Sequence, residues 1–304
     1  TPTCGVFGAA AACARLLKLS PEKCRDALGI AATFSCGISQ FFVSGSDIKR
    51  FHSGKAAANG VEAALLAKIG LTGPHDGIEG TQGFARAFSD RFEPETVVKN
   101  LYQEFFTEWV SLKPHVGSVR MQAAIEAANT LSKEGLRSDQ IQSITIGIHR
   151  AMMTKLASNQ PIDVQQAQLS TPFAVAMAIV IGDSNSSLLA LSIDDYESNI
   201  QDTQIRELCS RIECVVDTEV ESLTTSESVA GRVTCHLKDG TVRSALVASP
   251  KGCPENPMSI KEVSDRFQML GTKMFSKLDC DNWLTHASKV QDLQSIIPLM
   301  NLRK

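Results

Sequence analysis

The sequence predicts a large all-α domain and a smaller α+β domain, with C-terminal helices that return to the helical domain. Small and apolar residues at helical spacing fill residues 1–95. Strand-like runs separated by turn residues appear in residues 96–255, and helix start signals recur in residues 256–304. The order helix, α+β, helix therefore predicts three segments that build two domains.

Composition limits the classes of function. The chain has 304 residues, of which 43% are hydrophobic and 21% are charged, as in an ordinary globular protein. Its net charge of −3 provides no overall field for nucleic acid or an anionic membrane. The apolar run at 173–182 is too short to span a bilayer, and we interpret it as a buried core helix. We therefore expect no nucleic-acid partner and no membrane partner.

Nine cysteines occur without a CxxC pair or a metal-like spacing with histidine. This pattern is typical of reduced thiols that serve as small core residues in a cytosol-like compartment. We therefore predict neither a disulfide framework nor a bound metal.

Local signals support the helical segment. Gly5, Gly8 and the alanines at 9–12 give a flat face on which another helix can approach closely. Ser20 and Pro21 provide an N-cap and a first helical residue, and a third helix is expected over 55–69. Because the first helix begins almost at the start of the chain, we expect this sequence to be the C-terminal part of a longer protein.

The α+β segment carries strand signals of a different kind. Residues 143–150, 212–217 and 231–249 are rich in β-branched residues, and Asp239-Gly240 divides the last run as a hairpin turn would. Helices are expected at 96–110 and at 121–134.

Common catalytic motifs are missing from the sequence. It contains no GxSxG, HExxH, P-loop or GxGxxG pattern, so hydrolase, zincin, nucleotidase and dinucleotide-binding interpretations lack support. What remains are two clusters of basic residues and histidine beside glycine.

The first cluster is Lys49-Arg50-Phe51-His52, followed by Gly54. Lysine, arginine and imidazole together can bind carboxylates and carry a proton. Gly54 would let backbone N–H groups approach an anion at the start of the 55–69 helix. The alternative is a solvated charged turn, which composition alone favours.

The second cluster is Lys113-Pro114-His115, followed by Gly117 and Arg120 before a helix. Its layout also suits anion capture, although a loop histidine held by hydrogen bonds is the simpler interpretation. His75 beside Asp76 is typical of an Asp-Gly turn. The remaining histidines lie in strand-like or helix-like runs and are interpreted as structural; they are His149, His236 and His286.

Five segments in order resemble the MmgE/PrpD family of 2-methylcitrate dehydratase, cis-aconitate decarboxylase and iminodisuccinate epimerase. They are GVFGAAAACARLL, DIKRFHSGKAAANGVEAALLAKIGLTGPHDGIEGTQGF, LKPHVGSVRMQAAIEAA, QQAQLSTPFAVAMAI and DGTVRSALVASPKGCPENPMSIKEVSDRF. The resemblance implies the same two-domain fold, a homodimer, no cofactor and no metal. It also implies a small di- or tricarboxylate substrate and a cytoplasmic location, or the mitochondrial matrix in a eukaryotic cell.

The resemblance also implies the roles of individual residues. Lys49 and His52 match the family's Lys-x-x-His segment, and Lys113 matches a second active-site lysine. We expect Lys49, Arg50 and Lys113 to bind substrate carboxylates, with Lys113 also in the catalytic group. His52 or His115 would transfer the proton. Such cations would neutralise charge that develops on carbon next to a carboxylate.

Three interpretations of function stay open. The preferred one is a lyase, either a decarboxylase of the cis-aconitate type or a dehydratase of the 2-methylcitrate type. An epimerase of the iminodisuccinate type needs the same proton chemistry without a leaving group. The third is a truncated, inactive member that acts as a dimerising partner, because the sequence has Gln122 and Phe173 where the family commonly has histidine and tyrosine.

Overall fold

The computed structural model describes residues 1–41, 46, 48–184, 191–226 and 228–300. Its α-helices are α1 (Pro2–Leu16), α2 (Pro21–Thr33), α3 (Ile48–Lys68), α4 (Phe84–Phe88), α5 (Pro94–Val98), α6 (Gln122–Lys133), α7 (Met153–Leu156), α8 (Val164–Ala167), α9 (Thr171–Ser184), α10 (Ile193–Asn199), α11 (Thr203–Ser210), α12 (Thr218–Leu223), α13 (Ile260–Gly271), α14 (Lys277–Ala287) and α15 (Ile297–Met300). The strands are β1 (Ile141–Ile148), β2 (Ile212–Val216), β3 (Gly231–Leu237) and β4 (Val242–Val247). Short 3-10 helices include Val119–Met121 and Arg150–Met152.

The chain divides between Phe105 and Phe106 into two compact units. The first unit is helical, and the second carries the strands, which agrees with the predicted fold class at this coarse level. The sequence placed the boundary at residue 95. The return of the C-terminal helices to the helical domain concerns the arrangement of the units and stays a prediction.

Small residues bring the helices of the first unit together, as the sequence predicted. α1, α2 and α3 contact one another, and their shared core includes Val6, Ala10 and Ile30. A Cβ atom on Gly60 of α3 would lie 2.3 Å from the Cβ of Ala9 in α1. Glycine at this position therefore sets the close approach of the two helices.

Helix α3 begins earlier than expected. The sequence predicted a start at residue 55, but the helix already includes Ile48, so Lys49, Arg50, His52 and Gly54 lie within its first turns. The helix continues past Gly54, so the predicted anion site at a helix start beside this glycine is wrong. In the surrounding basic stretch 44–60, residues 44, 45 and 47 lie outside the described residues.

The second unit is built on one four-stranded sheet among the described residues, with the order β2-β1-β3-β4. β1 runs parallel to β2 and antiparallel to β3, and β3 and β4 form the predicted hairpin. At its turn, Gly240 has a φ of +84°, and the N–H of Thr241 donates to Oδ1 of Asp239 at 2.8 Å.

Helices α6 and α9 supply much of the second core. α6 packs on β3 and β4, and α9 packs on α6 and α11. Phe173, Met177 and Ile179 of α9 are fully buried, which confirms that the apolar run at 173–182 is a core helix. The predicted helix at 96–110 is wrong as a single element: α5 ends at Val98, and Tyr102 has a φ of +69° that is incompatible with a right-handed helix.

Candidate active site

A cavity of about 450 Å³ opens in the second unit. Its walls come from five separate parts of the chain: residues 109–113, residues 119–122, the turn after β1, residues 224–229 and residues 250–253. Charged and polar side chains line it, among them Lys113, Arg120, Gln122, His149 and Lys251. The cavity therefore includes one predicted site residue, Lys113, together with cations from other segments.

The Lys113 wall is a short loop with a fixed backbone. The ammonium of Lys113 donates to the carbonyl oxygen of Gly117 at 2.7 Å. Gly117 has a φ of +120°, which favours glycine. The side chain of Ser118 then accepts the N–H of Arg120 at 3.3 Å and caps the following 3-10 turn. These bonds hold Lys113 and Arg120 on the same wall.

The side chain of Gln122 holds the backbone of this loop in place. Its side chain is 2% exposed. The amide oxygen accepts the N–H of His115 at 3.0 Å, and the amide nitrogen donates to the carbonyl oxygens of His115 and Ser118 at 3.2 and 3.1 Å. The amide is thus occupied by backbone groups, so its role in the structure is to fix the loop that carries Lys113.

His115 is not among the residues that line the cavity. The residue is 5% exposed, and its Nδ1 accepts the N–H of Leu191 at 3.0 Å. Burial, followed by the positive charges of Arg266 and Lys133, lowers the pKa of His115 to about 4. At neutral pH its ring is uncharged, with the proton on Nε2. The proton-transfer role suggested for His115 stays a prediction, and this environment does not favour it.

The sequence analysis included Arg120 in the second basic cluster without giving it a role, and it interpreted His149 as structural. His149 directly follows β1 and lines the cavity. Arg120 lines the same cavity, and its only side-chain hydrogen bond within the described chain goes to the sulfur of Met152 at 3.6 Å. No local pattern marks His149, because the β1 end meets residues 224–229 only after the chain has folded.

Lys251 closes another part of the cavity wall. Its ammonium lies 3.2 Å from the Glu262 carboxylate, and its backbone N–H donates to Oε2 of Glu126 at 2.7 Å. The ion pair links the loop that follows β4 to the first turn of α13. Lys251 is therefore already partly neutralised, in contrast to Arg120.

In the first unit, Phe41 contacts the predicted residues of α3. The ring of His52 lies edge-on to that of Phe41, with centroids 5.3 Å apart, and the Lys49 ammonium lies 6.0 Å from the Phe41 centroid. Lys49 is exposed as a residue, but partial desolvation near its ammonium lowers its pKa below the usual range. Lys49 and His52 share one helix face, as the Lys-x-x-His spacing predicts, and Arg50 is exposed beside them.

Phe173, which occupies the position expected for a tyrosine, is fully buried and stacks on Tyr196 with centroids 6.2 Å apart. Within the described ranges, no group of three or more His, Cys, Asp and Glu side chains is placed to hold a metal ion. No helix among the described residues is long and apolar enough to cross a membrane.

The fold agrees with the family that comparison of the sequence identifies. The MmgE/PrpD N-terminal domain matches residues 1–97, and the MmgE/PrpD C-terminal domain matches residues 117–290. The chain belongs to the MmgE/PrpD family, which confirms the resemblance seen in its motifs.

Individual relatives that match this chain are named as cis-aconitate decarboxylases or as a protein like them. Cis-aconitate decarboxylase of Homo sapiens is 25% identical over 316 residues, covering 99% of this chain and 61% of that protein. Cis-aconitate decarboxylase of Aspergillus terreus is 24% identical over 324 residues, covering 98% of this chain and 64% of that protein. A cis-aconitate decarboxylase-like protein of Aspergillus oryzae is 25% identical and covers 90% and 58%. The chain thus spans about three-fifths of the length of these relatives.

Proposed function

We propose that the protein is a lyase that acts on a small di- or tricarboxylate by developing charge on the carbon next to a carboxylate. The observation that carries this proposal is the cavity of the second unit, where Lys113 and Arg120 lie on one wall of a space of about 450 Å³. Membership of the MmgE/PrpD family and the names of its relatives support the same class of reaction.

The chemistry explains why cations are needed. Loss of CO2, or removal of a proton next to a carboxylate, leaves a carbanion that is stabilised as an enolate-like dianion. Fixed positive groups stabilise this charge more in the transition state than in the substrate, which lowers the barrier. Lys113, held to the carbonyl of Gly117, is suited to this task because its position is set before the substrate binds.

We assign carboxylate binding to Lys49, Arg50 and Lys113, and a second role in stabilising the developing charge to Lys113. Proton transfer falls to His52 rather than His115, since the His115 pKa is lowered to about 4 and its Nδ1 is already engaged.

A turnover assay tests the proposal. The purified chain is incubated separately with cis-aconitate, 2-methylcitrate and iminodisuccinate, and the products are followed by NMR for CO2 loss, water loss or inversion. Lys49→Ala and Lys113→Ala should each lower kcat/KM by about 100-fold or more. Lys155→Ala is the control, because Lys155 is exposed on α7 and does not line the cavity. Unchanged turnover in both lysine variants would contradict the proposal, and inversion alone would identify an epimerase.

A second candidate is a carboxylate-binding partner protein that lacks turnover of its own. The specific observation in its favour is that His115, two residues after Lys113, is buried and neutral. This candidate predicts that tricarboxylates bind to the chain and are recovered unchanged. The homodimer, the absence of a cofactor and the cytoplasmic location stay predictions, and sedimentation velocity would measure the first of these.

A further inference from the structure

His149 has a defined tautomer in the cavity wall. It caps the 3-10 turn Arg150–Met152, and its Nδ1 accepts the N–H of Ala151 at 3.1 Å. An imidazole nitrogen that accepts a hydrogen bond carries no proton, so the neutral ring carries its proton on Nε2. The side chain lines the cavity, and no protein partner for Nε2 is found within the described residues. The Nε2–H of His149 is therefore a hydrogen-bond donor on the cavity wall for which the described residues provide no acceptor.

Arg120 provides a charge on the same cavity. Its guanidinium makes one side-chain hydrogen bond within the described ranges, to the thioether sulfur of Met152, and thioether sulfur is a weak acceptor. No carboxylate of those ranges lies within ion-pair distance of it. The planar guanidinium of Arg120 has five N–H donors, and most of them remain available to a carboxylate. Guanidinium groups bind carboxylates through two parallel hydrogen bonds.

One short turn positions both groups. Ala151 donates to His149, and Met152 contacts Arg120, so residues 150–152 touch both members of the pair. The turn is itself fixed to α12: the backbone N–H of Arg150 donates to Glu221 at 3.3 Å, and its guanidinium donates to the two oxygens of the same carboxylate at 2.8 and 3.1 Å. The pair is therefore preorganised by contacts that do not involve a ligand.

We propose that Arg120 and the Nε2–H of His149 together bind one carboxylate of the ligand, with His149 acting as a neutral donor and not as a proton carrier. This inference rests on the proposed function for the choice of ligand class. No covalent step belongs to it: Arg120 supplies charge, and His149 supplies one N–H. A proton on Nδ1 would face the Ala151 N–H, donor against donor, so this hydrogen bond keeps the proton of the neutral ring on Nε2.

Binding of tricarballylate tests the pair without turnover, because this saturated tricarboxylate has no double bond or leaving group. Isothermal titration calorimetry on the purified chain should give an affinity that falls by about 10- to 100-fold in Arg120→Gln, in keeping with hydrogen bonds to charged groups. Lys155→Gln removes the same charge outside the cavity and should bind as the wild type does.

Two substitutions of His149 separate its role as donor from its role as cap. Asparagine retains an acceptor for the Ala151 N–H and is a preferred N-cap, but it has no donor at the Nε2 position. His149→Asn should therefore keep the urea midpoint and lose about tenfold in affinity. His149→Gln can place an N–H near the Nε2 position and should recover part of that loss.

NMR of ¹⁵N-histidine-labelled protein reads the tautomer directly, with His149→Asn used for assignment. Saturating tricarballylate should move the Nε2–H proton of His149 downfield and leave Nδ1 unprotonated. Wild-type affinity in His149→Asn and Arg120→Gln, a proton on Nδ1 in the complex, or absence of tricarballylate binding to the wild type would each overturn the inference. If tricarballylate bound through Arg120 and His149 but no substrate were turned over, only the proposed lyase function would be refuted. If turnover were unchanged in both Arg120→Gln and His149→Asn, only the proposed carboxylate-binding role of these two residues would be refuted.

Discussion

Replacing Gly252 by alanine should displace the Lys113 loop, because Gly252 lies against the backbone that leads into it. A Cβ atom on Gly252 would lie 1.8 Å from the carbonyl oxygen of Leu112. Carbon–oxygen contacts in proteins are seldom closer than about 3.3 Å, so this carbonyl has to move by roughly 1.5 Å. The movement also strains the hydrogen bond from the Leu112 N–H to the Gly252 carbonyl, now 2.8 Å long.

The size of the effect follows from three contributions. Gly252 has a φ of +93°, where alanine costs about 1 kcal/mol. The weakened hydrogen bond costs about 1 kcal/mol, and the steric clash costs another 1–3 kcal/mol, an estimate taken from overpacked cores. We expect the free energy of unfolding to fall by about 3–5 kcal/mol in total. Because Lys113 follows Leu112 directly, tricarballylate affinity should fall by at least about tenfold.

Gly240→Ala is the matched control. Gly240 has a φ of +84°, but an added Cβ there would meet nothing within 4 Å, so the substitution reports backbone strain alone. Urea unfolding should show a loss of about 1 kcal/mol, and calorimetry should show unchanged affinity. If Gly252→Ala behaved like Gly240→Ala in both measurements, the contact with Leu112 would not be what fixes the loop.

Two further predictions concern stability. Gly60→Ala should destabilise the first unit by about 2 kcal/mol, since its Cβ would lie 2.3 Å from the Cβ of Ala9 and the clash exceeds the gain in helix propensity. Gly54→Ala lies in the same helix, where an added Cβ would meet nothing within 4 Å, and should stabilise the unit by about 0.5–1 kcal/mol. Equal hydrogen-exchange rates in α3 of the two variants would refute this difference. For His115, whose pKa is lowered to about 4, the neutral ring stabilises the fold above pH 6.5, and this contribution is lost as the pH falls towards 4. The unfolding free energy of wild type should therefore drop by up to about 3 kcal/mol more than that of His115→Asn between pH 7 and pH 4, and parallel pH curves would contradict the assignment.

Elements with a local cause were predictable. The β3–β4 hairpin follows from Asp239-Gly240, and α13 begins at the capping box that Ser259 and Glu262 form in the structure. In both cases a few neighbouring residues supply the hydrogen bonds that define the element. The close approach of α1 and α3 was also foreseeable, because it requires small residues at helical spacing.

The extents of helices were harder to predict where helix-forming residues and helix-breaking residues occur in the same segment. Gly54 was taken as a helix boundary, but a glycine inside a helix costs only about 1 kcal/mol, and the helix runs through it. The helix expected at 96–110 does not form as one element. Its apolar residues, such as Val97 and Leu101, are exposed, so they contribute no packing that would hold the helix together.

The roles of the histidines illustrate what a single sequence does not contain. Both His115 and His149 were assigned from their neighbours in sequence, but a backbone N–H from a distant or following residue decides the tautomer of each ring. An occupied Nδ1 leaves a neutral ring only its Nε2–H to offer, which suits binding and not proton abstraction. If a proton is moved in this protein, the carrier must then be a group whose lone pair is accessible. His52, packed edge-on to Phe41, is the other histidine predicted for proton transfer, and that role stays a prediction.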